Sequence, residues 1–539
     1  MLFIYAFIVS LVATMVLIPP VMKWAEKIGA IDIPDARKVH TGAIPRVGGI
    51  AMVAGSVISI ILMGELDQQL IAIIAGFLVI WAFGLWDDKC DLNYKIKFLG
   101  QFLAVAIVVI WGDVVVRGFP FIDTDLPDYL AIPLTIFALV GITNAINLSD
   151  GLDGLAGGSS LISISFIALL AFDSGGDMVV LVSMAVAGSI LGFLRHNTYP
   201  ARLFMGDTGS QFLGFSLGVL VILLSQTVNS AMSPLIPLFI LGLPILDTMA
   251  VMGQRIYEGR SPFAPDKNHI HHKLLAIGFD HYEAVLAIYV VQSILIAVAY
   301  FMLYESDALL LVIYIAISGF VLGFFHISRL TSWKFHGGEA GEVSRLKSIA
   351  IYLREKGVLT TVPTQILRYI VPLILLSAAA FAVNIKSDMA VLAALLLFTI
   401  LVSLLIKSHL GELLEKSVVY ITAVIAVYLM PVNQGDLTVY NIINILFVLL
   451  ALAFAMRVRF SYEKTFQITP LDYLVITLFV IIPNLPEAHL EDSSIGEMAV
   501  KLVILFYASE ALMGIAGRGW SALRFGVIIS LATVIIRGL

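Results

Sequence analysis

Cysteine and charge are both scarce in this sequence. Cys90 is the single cysteine in 539 residues, so the chain forms no internal disulfide and offers no cluster of thiolates to a metal ion. Asp, Glu, Lys and Arg together account for only 13% of the residues, whereas 60% are hydrophobic and the mean hydropathy is +0.99. A soluble protein of this length cannot bury so much apolar surface. The composition therefore excludes a soluble globular class and indicates an integral membrane protein.

Uncharged apolar runs recur along the whole chain, each close to the roughly 20 residues that cross a bilayer as an α-helix. The first run lacks the basic start of a cleaved signal peptide, so we interpret it as a retained span. The predicted fold is an all-α polytopic bundle of about 18 spans. Eleven lie near 2–20, 47–64, 70–86, 98–112, 129–147, 157–172, 178–194, 210–228, 234–253, 283–303 and 309–328. Seven more lie near 368–384, 390–406, 417–431, 439–456, 470–483, 498–514 and 525–537.

The basic residues orient these predicted spans. With the N-terminus outside, the loops that face the cytoplasm contain all 32 Lys and Arg residues except Arg117, Lys386, Lys501 and Arg537. Such enrichment is typical of cytoplasmic loops. The sequence therefore predicts an outside N-terminus in the cytoplasmic (inner) membrane. The longest polar stretch divides the chain into three predicted parts: a membrane domain at 1–328, a cytoplasmic connector at 329–367, and a seven-span membrane module at 368–539.

The first polar cluster follows the third predicted span, in the segment WDDKCDLNYKIK. Asp87 and Asp88 are adjacent, and Lys95 and Lys97 follow them. Charge beside hydrocarbon is costly and is usually kept for function. Adjacent carboxylates repel each other and are disfavoured at the negative end of a helix, so they are poor membrane anchors. A bound cation would remove this repulsion.

Two glycine-rich motifs continue the pattern on the same side of the membrane. In NAINLSDGLDGLAGG, the spacing of Asn144 and Asn147, and of Asp150 and Asp153, places each pair on one face of a helical turn. In FMGDTGS, Asp207 lies in a tight turn at the start of a span. The free backbone N–H groups at such a helix start point at whatever ligand binds there. The alternative for both motifs is a glycine-rich turn capped by aspartate.

A later loop, RSPFAPDKNHIHHK, follows Asp247 of a preceding span and contributes cationic groups. Its three histidines raise the alternative of a zinc site, but no cysteine assists them, and the nearby carboxylates are hard ligands that favour Mg²⁺ or Mn²⁺. We therefore expect the loop to bind phosphate oxygens. Its candidate substrate-binding residues are Arg260, Lys267, His269, His271 and His272.

These loops together place carboxylates, amides and basic groups on one membrane face. Carboxylates suit Mg²⁺, Mg²⁺ suits a diphosphate, and basic residues suit the remaining phosphate charge. A site where the bilayer meets water suits a reaction between a soluble nucleotide and a lipid. A transporter is the rival interpretation because intramembrane carboxylates also mark ion pathways, although transporters place such residues near the midplane.

Residues 1–330 resemble the polyprenyl-phosphate N-acetylhexosamine-1-phosphate transferases, a membrane type of glycosyltransferase family 4. The Asp-Asp pair, NAINLSDGLDGL, FMGDTGS and PDKNHIHH occur in the family order. The last motif looks like the undecaprenyl-phosphate N-acetylglucosaminyl branch rather than the phospho-MurNAc-pentapeptide branch. The resemblance implies a metal site at Asp207, Asp150 and Asp87, catalytic carboxylates at Asp87, Asp88, Asp150 and Asp153, and substrate contacts from Asn144, Asn147, Lys95, Lys97, Lys38, His40 and the three histidines.

The activity implied is transfer of N-acetylhexosamine 1-phosphate from a UDP-sugar to undecaprenyl phosphate, with Mg²⁺ or Mn²⁺, to begin cell-envelope glycan synthesis. N-acetylglucosamine is the expected sugar, and the active site is expected at the cytoplasmic face. Direct attack by the lipid phosphate is favoured over a covalent aspartyl-phosphate route. The alternatives are a peptidoglycan-type pentapeptide transferase and a transporter. A homodimer or envelope-glycan partners are further expectations, and no feature predicts nucleic-acid binding.

Overall fold

A computed structural model of the protein describes most of the chain, which divides into two compact units near residue 340. The described residues are 2–32, 43–261, 268–331, 333–335, 358–382, 385, 387–403, 409–430, 437–460, 494–513 and 518–538. Lys38, His40 and Lys267 lie outside these ranges. The predicted domain limits at residues 328 and 367 stay predictions.

The first unit is a bundle of α-helices. They are α1 (Leu2–Ile28), α2 (Gly48–Met63), α3 (Gln68–Cys90), α4 (Tyr94–Ala106), α5 (Asp128–Ser149), α6 (Leu155–Asp173), α7 (Asp177–Asn197), α8 (Gly206–Leu223), α9 (Ile236–Ile240), α10 (Gly242–Tyr257), α11 (Ile270–Ile277), α12 (His281–Phe301) and α13 (Asp307–Thr331). Short π-helical turns, Ile107–Trp111 and Leu224–Val228, extend α4 and α8. The architecture agrees with the predicted all-α membrane class.

Eleven described helices are long and apolar enough to cross a membrane, and all but two of them belong to the first unit. Short connections join α3 to α4, α5 to α6 and α7 to α8, so neighbouring helices run antiparallel. In α6, and in α8 with its π-helical extension, 83% of the residues in an apolar 18-residue stretch are buried, so these helices form the core of the unit. Glycines in α8 allow this close packing, because a Cβ at Gly214 would meet the backbone of Thr143 on α5.

The predicted span at 234–253 is interrupted, because α9 ends at Ile240 and α10 begins at Gly242. The Ile240 carbonyl accepts hydrogen bonds from Ser163 Oγ at 2.7 Å and Gln292 Nε2 at 2.7 Å. The Gly242 carbonyl accepts from the Tyr314 hydroxyl at 3.1 Å. Lipid cannot satisfy free backbone groups, so such a break is stable only where side chains do so.

A two-stranded antiparallel hairpin, absent from the predicted fold, follows α1. Its strands are β1 (Ile31–Asp32) and β2 (Ile44–Pro45). The Pro45 carbonyl accepts a hydrogen bond from the Phe204 N–H at 2.8 Å, and the Phe204 carbonyl accepts from the Gly48 N–H at 2.9 Å. The chain from β2 to the start of α2 is therefore held against the segment just before α8.

The second unit is also helical. Its helices are α14 (Val358–Phe381), α15 (Ser387–Ser403), α16 (His409–Leu429), α17 (Leu437–Phe460), α18 (Ser494–Met513) and α19 (Arg518–Gly538). They occupy the predicted spans of this region except 470–483, which lies outside the described residues. The total of 18 spans and the outside N-terminus stay predictions.

Several charged side chains among the described residues of the second unit contact partners inside the unit. Glu415, almost fully buried, accepts hydrogen bonds from Arg524 Nη2 at 2.7 Å and Nε at 3.1 Å. Glu510 accepts a hydrogen bond from the Tyr420 hydroxyl. Arg537 donates to the carbonyls of Ala379 and Ala382, both at 2.9 Å, near the end of α14. These contacts satisfy charge that would be costly in a membrane.

Candidate active site

A cavity of about 650 Å³ lies at one end of the first unit, where α3, α5 and α7 end and α8 begins. Pockets of roughly 300–1,000 Å³ hold small-molecule ligands. Segments far apart in the sequence form its wall. The lining residues are Asp32, Ile44, Arg46, Asp88, Asn147, Asp150, Gly151, Leu152, Asp153, Asn197, Tyr199, Pro200, Ala201, Phe204, Gly206, Asp207, Ser210, His272 and His281.

Lys97 bridges two carboxylates next to this cavity. Its Nζ lies 2.6 Å from Asp87 Oδ2 and 2.7 Å from Asp207 Oδ2. Asp87 is buried, and its Oδ1 accepts a hydrogen bond from the Leu92 N–H at 2.7 Å. One ammonium group therefore holds the end of α3 and the start of α8 together. Asp207 lines the cavity, whereas Asp87 is not among the lining residues.

Asp88 caps the first turn of α8 from a neighbouring helix. Its Oδ1 accepts from the Asp207 N–H at 2.7 Å, and its Oδ2 accepts from the Thr208 N–H at 3.1 Å and hydroxyl at 2.6 Å. Gly206 precedes them with a φ of +68°, and a Cβ there would meet the Asp88 carboxylate at 2.5 Å. The N–H groups of Asp207 and Thr208, which were predicted to be free for a ligand, therefore donate to Asp88 instead.

The two predicted asparagines have different surroundings. Asn147 lines the cavity and donates to Asp207 Oδ1 at 3.0 Å and to Ser210 Oγ at 2.7 Å. Asn144 instead joins a network of side-chain amides: its Nδ2 donates to Gln101 Oε1 at 2.7 Å, and Gln101 Nε2 donates to Gln211 Oε1 at 3.2 Å. Asn147 is therefore placed to orient Asp207, whereas Asn144 ties α5 to α4.

Asp150 and Asp153 lie on the turn after α5. Asp150 opens onto the cavity, yet enclosure by the cleft, followed by the nearby Asp207 and Asp153 carboxylates, raises the pKa of Asp150 to about 7. Asp153 Oδ2 accepts a hydrogen bond from the Ala201 N–H at 2.9 Å. Asn197 Oδ1 accepts from the Gly154 N–H at 2.9 Å, which fastens the turn to the end of α7.

The three histidines have three different positions. His269 is buried, with Nδ1 2.9 Å from Asp247 Oδ2. His271 is also buried, and it packs so closely on Gly151 that a Cβ at Gly151 would meet its ring. Burial lowers the pKa of His271 to about 3, and the neighbouring His272 contributes to this shift, so its imidazole stays neutral near pH 7. Among the three histidines, only His272 lines the cavity.

The structure adds cavity residues that were not among the predicted site residues. Arg46 lines the wall and forms an ion pair with Asp32 on the hairpin. Tyr199 and His281 also line it, and their rings stack with centroids 4.3 Å apart. The polar run from Arg195 to Arg202, between two spans on the predicted cytoplasmic side, was the available sequence signal for Tyr199.

Other predicted substrate-binding residues are not at this cavity. Lys95 is exposed on the first turn of α4, and Arg260 is exposed with its Nη1 3.1 Å from Glu258 Oε2. Neither is among the lining residues. Lys95 points elsewhere than Lys97 because two residues turn a helix by about 200°. The predictions for Lys38, His40 and Lys267 fall outside the described residues.

The donors at the cavity fit a hard cation. Within the described ranges, no group of three or more His, Cys, Asp or Glu is arranged to hold a metal ion. Mg²⁺ usually takes one or two protein carboxylates and completes its shell with water and substrate phosphates, so such a group is not required. Asp207 and Asp150 present carboxylate oxygens, the kind of donor that a hard cation takes. Desolvation and then the nearby carboxylates raise the pKa of Asp150, and a cation bound there would favour its charged form.

A family model and several known proteins match this chain, and the family model covers most of the residues that line the cavity. The glycosyl transferase family 4 profile matches residues 70–225. A probable undecaprenyl-phosphate N-acetylglucosaminyl 1-phosphate transferase of Bacillus subtilis is 43% identical over 295 residues, covering 54% of this chain and 82% of that protein. A decaprenyl-phosphate N-acetylglucosaminephosphotransferase of Mycolicibacterium smegmatis is 36% identical over 297 residues, covering 49% and 73%.

An undecaprenyl-phosphate alpha-N-acetylglucosaminyl 1-phosphate transferase of Escherichia coli (strain K12) is 32% identical over 289 residues, covering 51% of this chain and 77% of that protein. Each relative is matched over most of its own length, while about half of this chain takes part. The resemblance stated from the motifs is thereby confirmed. The chain belongs to glycosyl transferase family 4, among the polyprenyl-phosphate N-acetylglucosaminyl 1-phosphate transferases.

Proposed function

We propose that the first unit transfers N-acetylglucosamine 1-phosphate from UDP-N-acetylglucosamine to undecaprenyl phosphate. The observation that carries this proposal is the polar cavity, whose wall combines Asp150 and Asp207 with Arg46 and His272. Carboxylates beside cationic or N–H donors suit a nucleotide diphosphate accompanied by a divalent cation. The names of the relatives support the N-acetylglucosaminyl branch over a peptidoglycan-type pentapeptide transferase.

The surrounding residues preorganise Asp207. Lys97 holds one of its carboxylate oxygens, Asn147 donates to the other, and Asp88 binds its backbone N–H. These contacts restrict the carboxylate to one orientation before a ligand arrives, which lowers the entropic cost of assembling the site. Asp207 and Asp150 would hold Mg²⁺, which when bound would neutralise diphosphate charge and stabilise the departing UMP.

The acceptor needs little activation. A phosphate monoester has a second pKa near 6, so the lipid phosphate is largely a dianion at neutral pH. An oxygen of the lipid phosphate bonds to the β-phosphorus of the donor, and the bond from that phosphorus to the bridging oxygen of UMP breaks. The products are UMP and a lipid diphosphate sugar. Catalysis then depends on positioning and charge neutralisation.

The geometry favours this direct route over a covalent aspartyl intermediate. Both oxygens of Asp88 accept hydrogen bonds from α8, and Asp87 is paired with Lys97 outside the cavity wall. Asp87 therefore does not reach the cavity, and Asp88 lines it with both carboxylate oxygens already bound to α8, which makes either one a poor nucleophile for phosphorus. The same contacts argue against either one as a general base, a role that the dianionic acceptor does not require.

The cavity is proposed to open to the cytoplasm. Arg46, Lys97, Arg202 and Lys273 all belong to loops or helix ends on its side of the unit, and basic residues are enriched on the cytoplasmic side of membrane proteins. This orientation places the N-terminus outside. It also counts against a transporter, because the polar cavity lies at helix ends rather than at the bilayer midplane.

A transfer assay with the purified full-length chain tests the proposal. Undecaprenyl phosphate and a panel of radiolabelled UDP-sugars are supplied with and without Mg²⁺, and the lipid product is extracted. We expect label in the lipid from UDP-N-acetylglucosamine, dependence on the divalent cation and release of UMP. Equal labelling without the cation would remove the metal from the proposal. No lipid labelling from any UDP-sugar would reject the transferase.

A further inference from the structure

Asp247 is a buried carboxylate that does not line the cavity. It lies on α10 and is 5% exposed. The next helix along the chain, α11, begins directly after His269. Its Oδ2 lies 2.9 Å from His269 Nδ1, and its Oδ1 accepts a hydrogen bond from the Ile270 N–H at 2.8 Å. Burying a carboxylate in an apolar bundle costs free energy. Both contacts of Asp247 go to the adjacent residues His269 and Ile270, which indicates that the carboxylate serves this segment.

These contacts hold the start of α11. This helix spans only Ile270–Ile277, and His269 before it provides no side-chain cap. A helix of eight residues is too short to be stable alone, and the N–H groups of its first turn have no partner within it. Asp247 accepts one of these N–H groups from another helix, and its negative charge lies at the positive end of α11.

The position of α11 determines where His272 lies. His271 packs on Gly151, where a Cβ would collide with the imidazole ring, so α11 is confined between Asp247 on one side and the Gly151 turn on the other. The His271 and His272 ring centroids are 4.2 Å apart, and His272 lines the cavity. Movement of the first turn of α11 would therefore move His272 relative to Asp150, the neighbour of Gly151.

We propose that Asp247 is a positioning residue that fixes His272 in the cavity wall. It touches no substrate; it acts through the Ile270 N–H and the His269 ring, while His271 serves as a spacer against Gly151. This role rests on the proposed transferase function, because His272 is the group whose placement it controls. Its main requirement is an acceptor for the Ile270 N–H, and the negative charge at the start of α11 adds a smaller contribution.

Paired substitutions separate these requirements. Asp247→Leu removes the acceptor, whereas Asp247→Asn keeps a carbonyl oxygen for Ile270 and offers an amide N–H to the other tautomer of His269. We expect Asp247→Leu to lower kcat/KM for UDP-N-acetylglucosamine about 10- to 100-fold, because small misplacements cost this much. We expect Asp247→Asn to stay within about 5-fold of wild type. Equal losses in the two variants would overturn the proposal.

Asp307 provides a matched control at the other end of the unit. Its carboxylate also accepts two hydrogen bonds, from Ser233 Oγ at 2.5 Å and from the Phe121 N–H at 2.8 Å. The 21 residues of α12 separate its end from the cavity by about 30 Å. Asp307→Leu should leave kcat/KM within about 2-fold of wild type, provided that the variant is monodisperse and folded. A loss equal to that of Asp247→Leu would indicate a general effect on folding.

A double-mutant cycle tests whether Asp247 acts through His272. In a His272→Ala background, Asp247→Leu should reduce kcat/KM by a further factor of about 3 at most, because the positioned group is already gone. Full multiplication of the two single losses would overturn the proposal.

Hydrogen exchange gives a reading that does not depend on transfer. The amides of Ile270–Ile277 should exchange faster in Asp247→Leu than in wild type or Asp307→Leu. Unchanged protection of this helix would overturn the positioning role even if activity fell. If wild type transfers no sugar phosphate while the exchange result holds, the proposed function fails and the structural clamp on α11 stands.

Discussion

Both units of the chain hold ionisable groups among apolar helices, but the surroundings of these groups differ. In the second unit, Glu415 is paired with Arg524, and Glu510 accepts from the Tyr420 hydroxyl. In the first unit, the carboxylates just after the end of α5 and at the start of α8 line a cavity of about 650 Å³. Since charge in a membrane is costly, the contacts in the second unit are explained by stability. The cavity carboxylates also have protein contacts, but they face a space that a ligand can occupy. Access to a cavity, rather than charge alone, distinguishes the candidate site.

The strongest test of this contrast removes one charge from each unit. Asp207→Asn removes a proposed Mg²⁺ ligand and is expected to lower transfer by about 10³-fold or more. Glu510→Gln removes a half-buried acid from the second unit and should retain transfer within about 2-fold. Lipid-extracted radiolabel measures both. Near-normal transfer by Asp207→Asn would discard the metal assignment, and a comparable loss in Glu510→Gln would extend the active machinery into the second unit.

Lys97→Met should produce the next largest effect, a decrease in kcat of about 10²-fold. The substitution leaves Asp87 buried without its cation and lets the Asp207 carboxylate reorient. Lys89→Met, an exposed lysine at the end of α3, is the control and should change kcat less than about 2-fold. Steady-state kinetics at saturating donor and acceptor would decide this, and equal effects would show that local positive charge matters rather than the bridge.

Substitutions of Asp88 should lower kcat less than Lys97→Met does, and alanine should lower it more than asparagine. If Asp88 acts as the cap of α8, Asp88→Ala should lower kcat about 10-fold, and Asp88→Asn, which keeps one acceptor, about 3-fold. The midpoint of thermal unfolding should follow the same order. An Asp88→Asn variant as inactive as Asp207→Asn, with unchanged stability, would instead show that the carboxylate charge takes part in the reaction.

His271 should influence stability rather than turnover near neutral pH. Burial lowers its pKa to about 3, while a histidine in the unfolded chain has a pKa of about 6.5. The unfolded chain therefore binds a proton that the folded chain does not, so this stability is complete above pH 6.5 and is lost as the pH falls toward 3. The loss is about 2 kcal/mol at pH 5. A His271→Gln variant should show a correspondingly weaker pH dependence of unfolding, and an identical dependence would contradict this assignment.

The smallest expected effect on transfer comes from the Glu415–Arg524 pair. Arg524 is 37% exposed, so the pair is worth only about 1 kcal/mol after screening by solvent. Glu415→Gln should lower the unfolding midpoint of the second unit by about 2–4 °C and leave transfer unchanged. Scanning calorimetry with a parallel transfer assay measures both quantities. Loss of transfer at an unchanged midpoint would mean that this pair serves the reaction.

The sequence alone predicted the membrane class, the family and most helices, because long apolar runs and contiguous motifs are local features. It also predicted several cavity residues, among them Asn147, Asp150, Asp153, Asp207 and His272. The first four lie in motifs next to the ends of predicted spans, and His272 lies in the loop between the predicted spans at 234–253 and 283–303. Such motifs gather at one end of a bundle whenever antiparallel helices alternate, so the sequence was sufficient to place them together.

Contacts between distant segments could not be predicted in the same way. Spacing along the chain does not reveal that Asp88 caps a helix more than a hundred residues later, or that Lys97 reaches both Asp87 and Asp207. The break between α9 and α10 was missed because its carbonyls are satisfied by Ser163 and Gln292 from other helices. These features depend on tertiary packing, which a local pattern does not contain.

The acidic wall of the cavity has a consequence for inhibitor chemistry. A neutral, apolar compound would displace water from the carboxylates of Asp150, Asp153 and Asp207 and return no compensating contact, which makes such a scaffold a poor fit. A scaffold that brings its own ammonium or amidinium group toward Asp150 and Asp207, with an aromatic ring for the stacked Tyr199 and His281, would meet both requirements of the pocket.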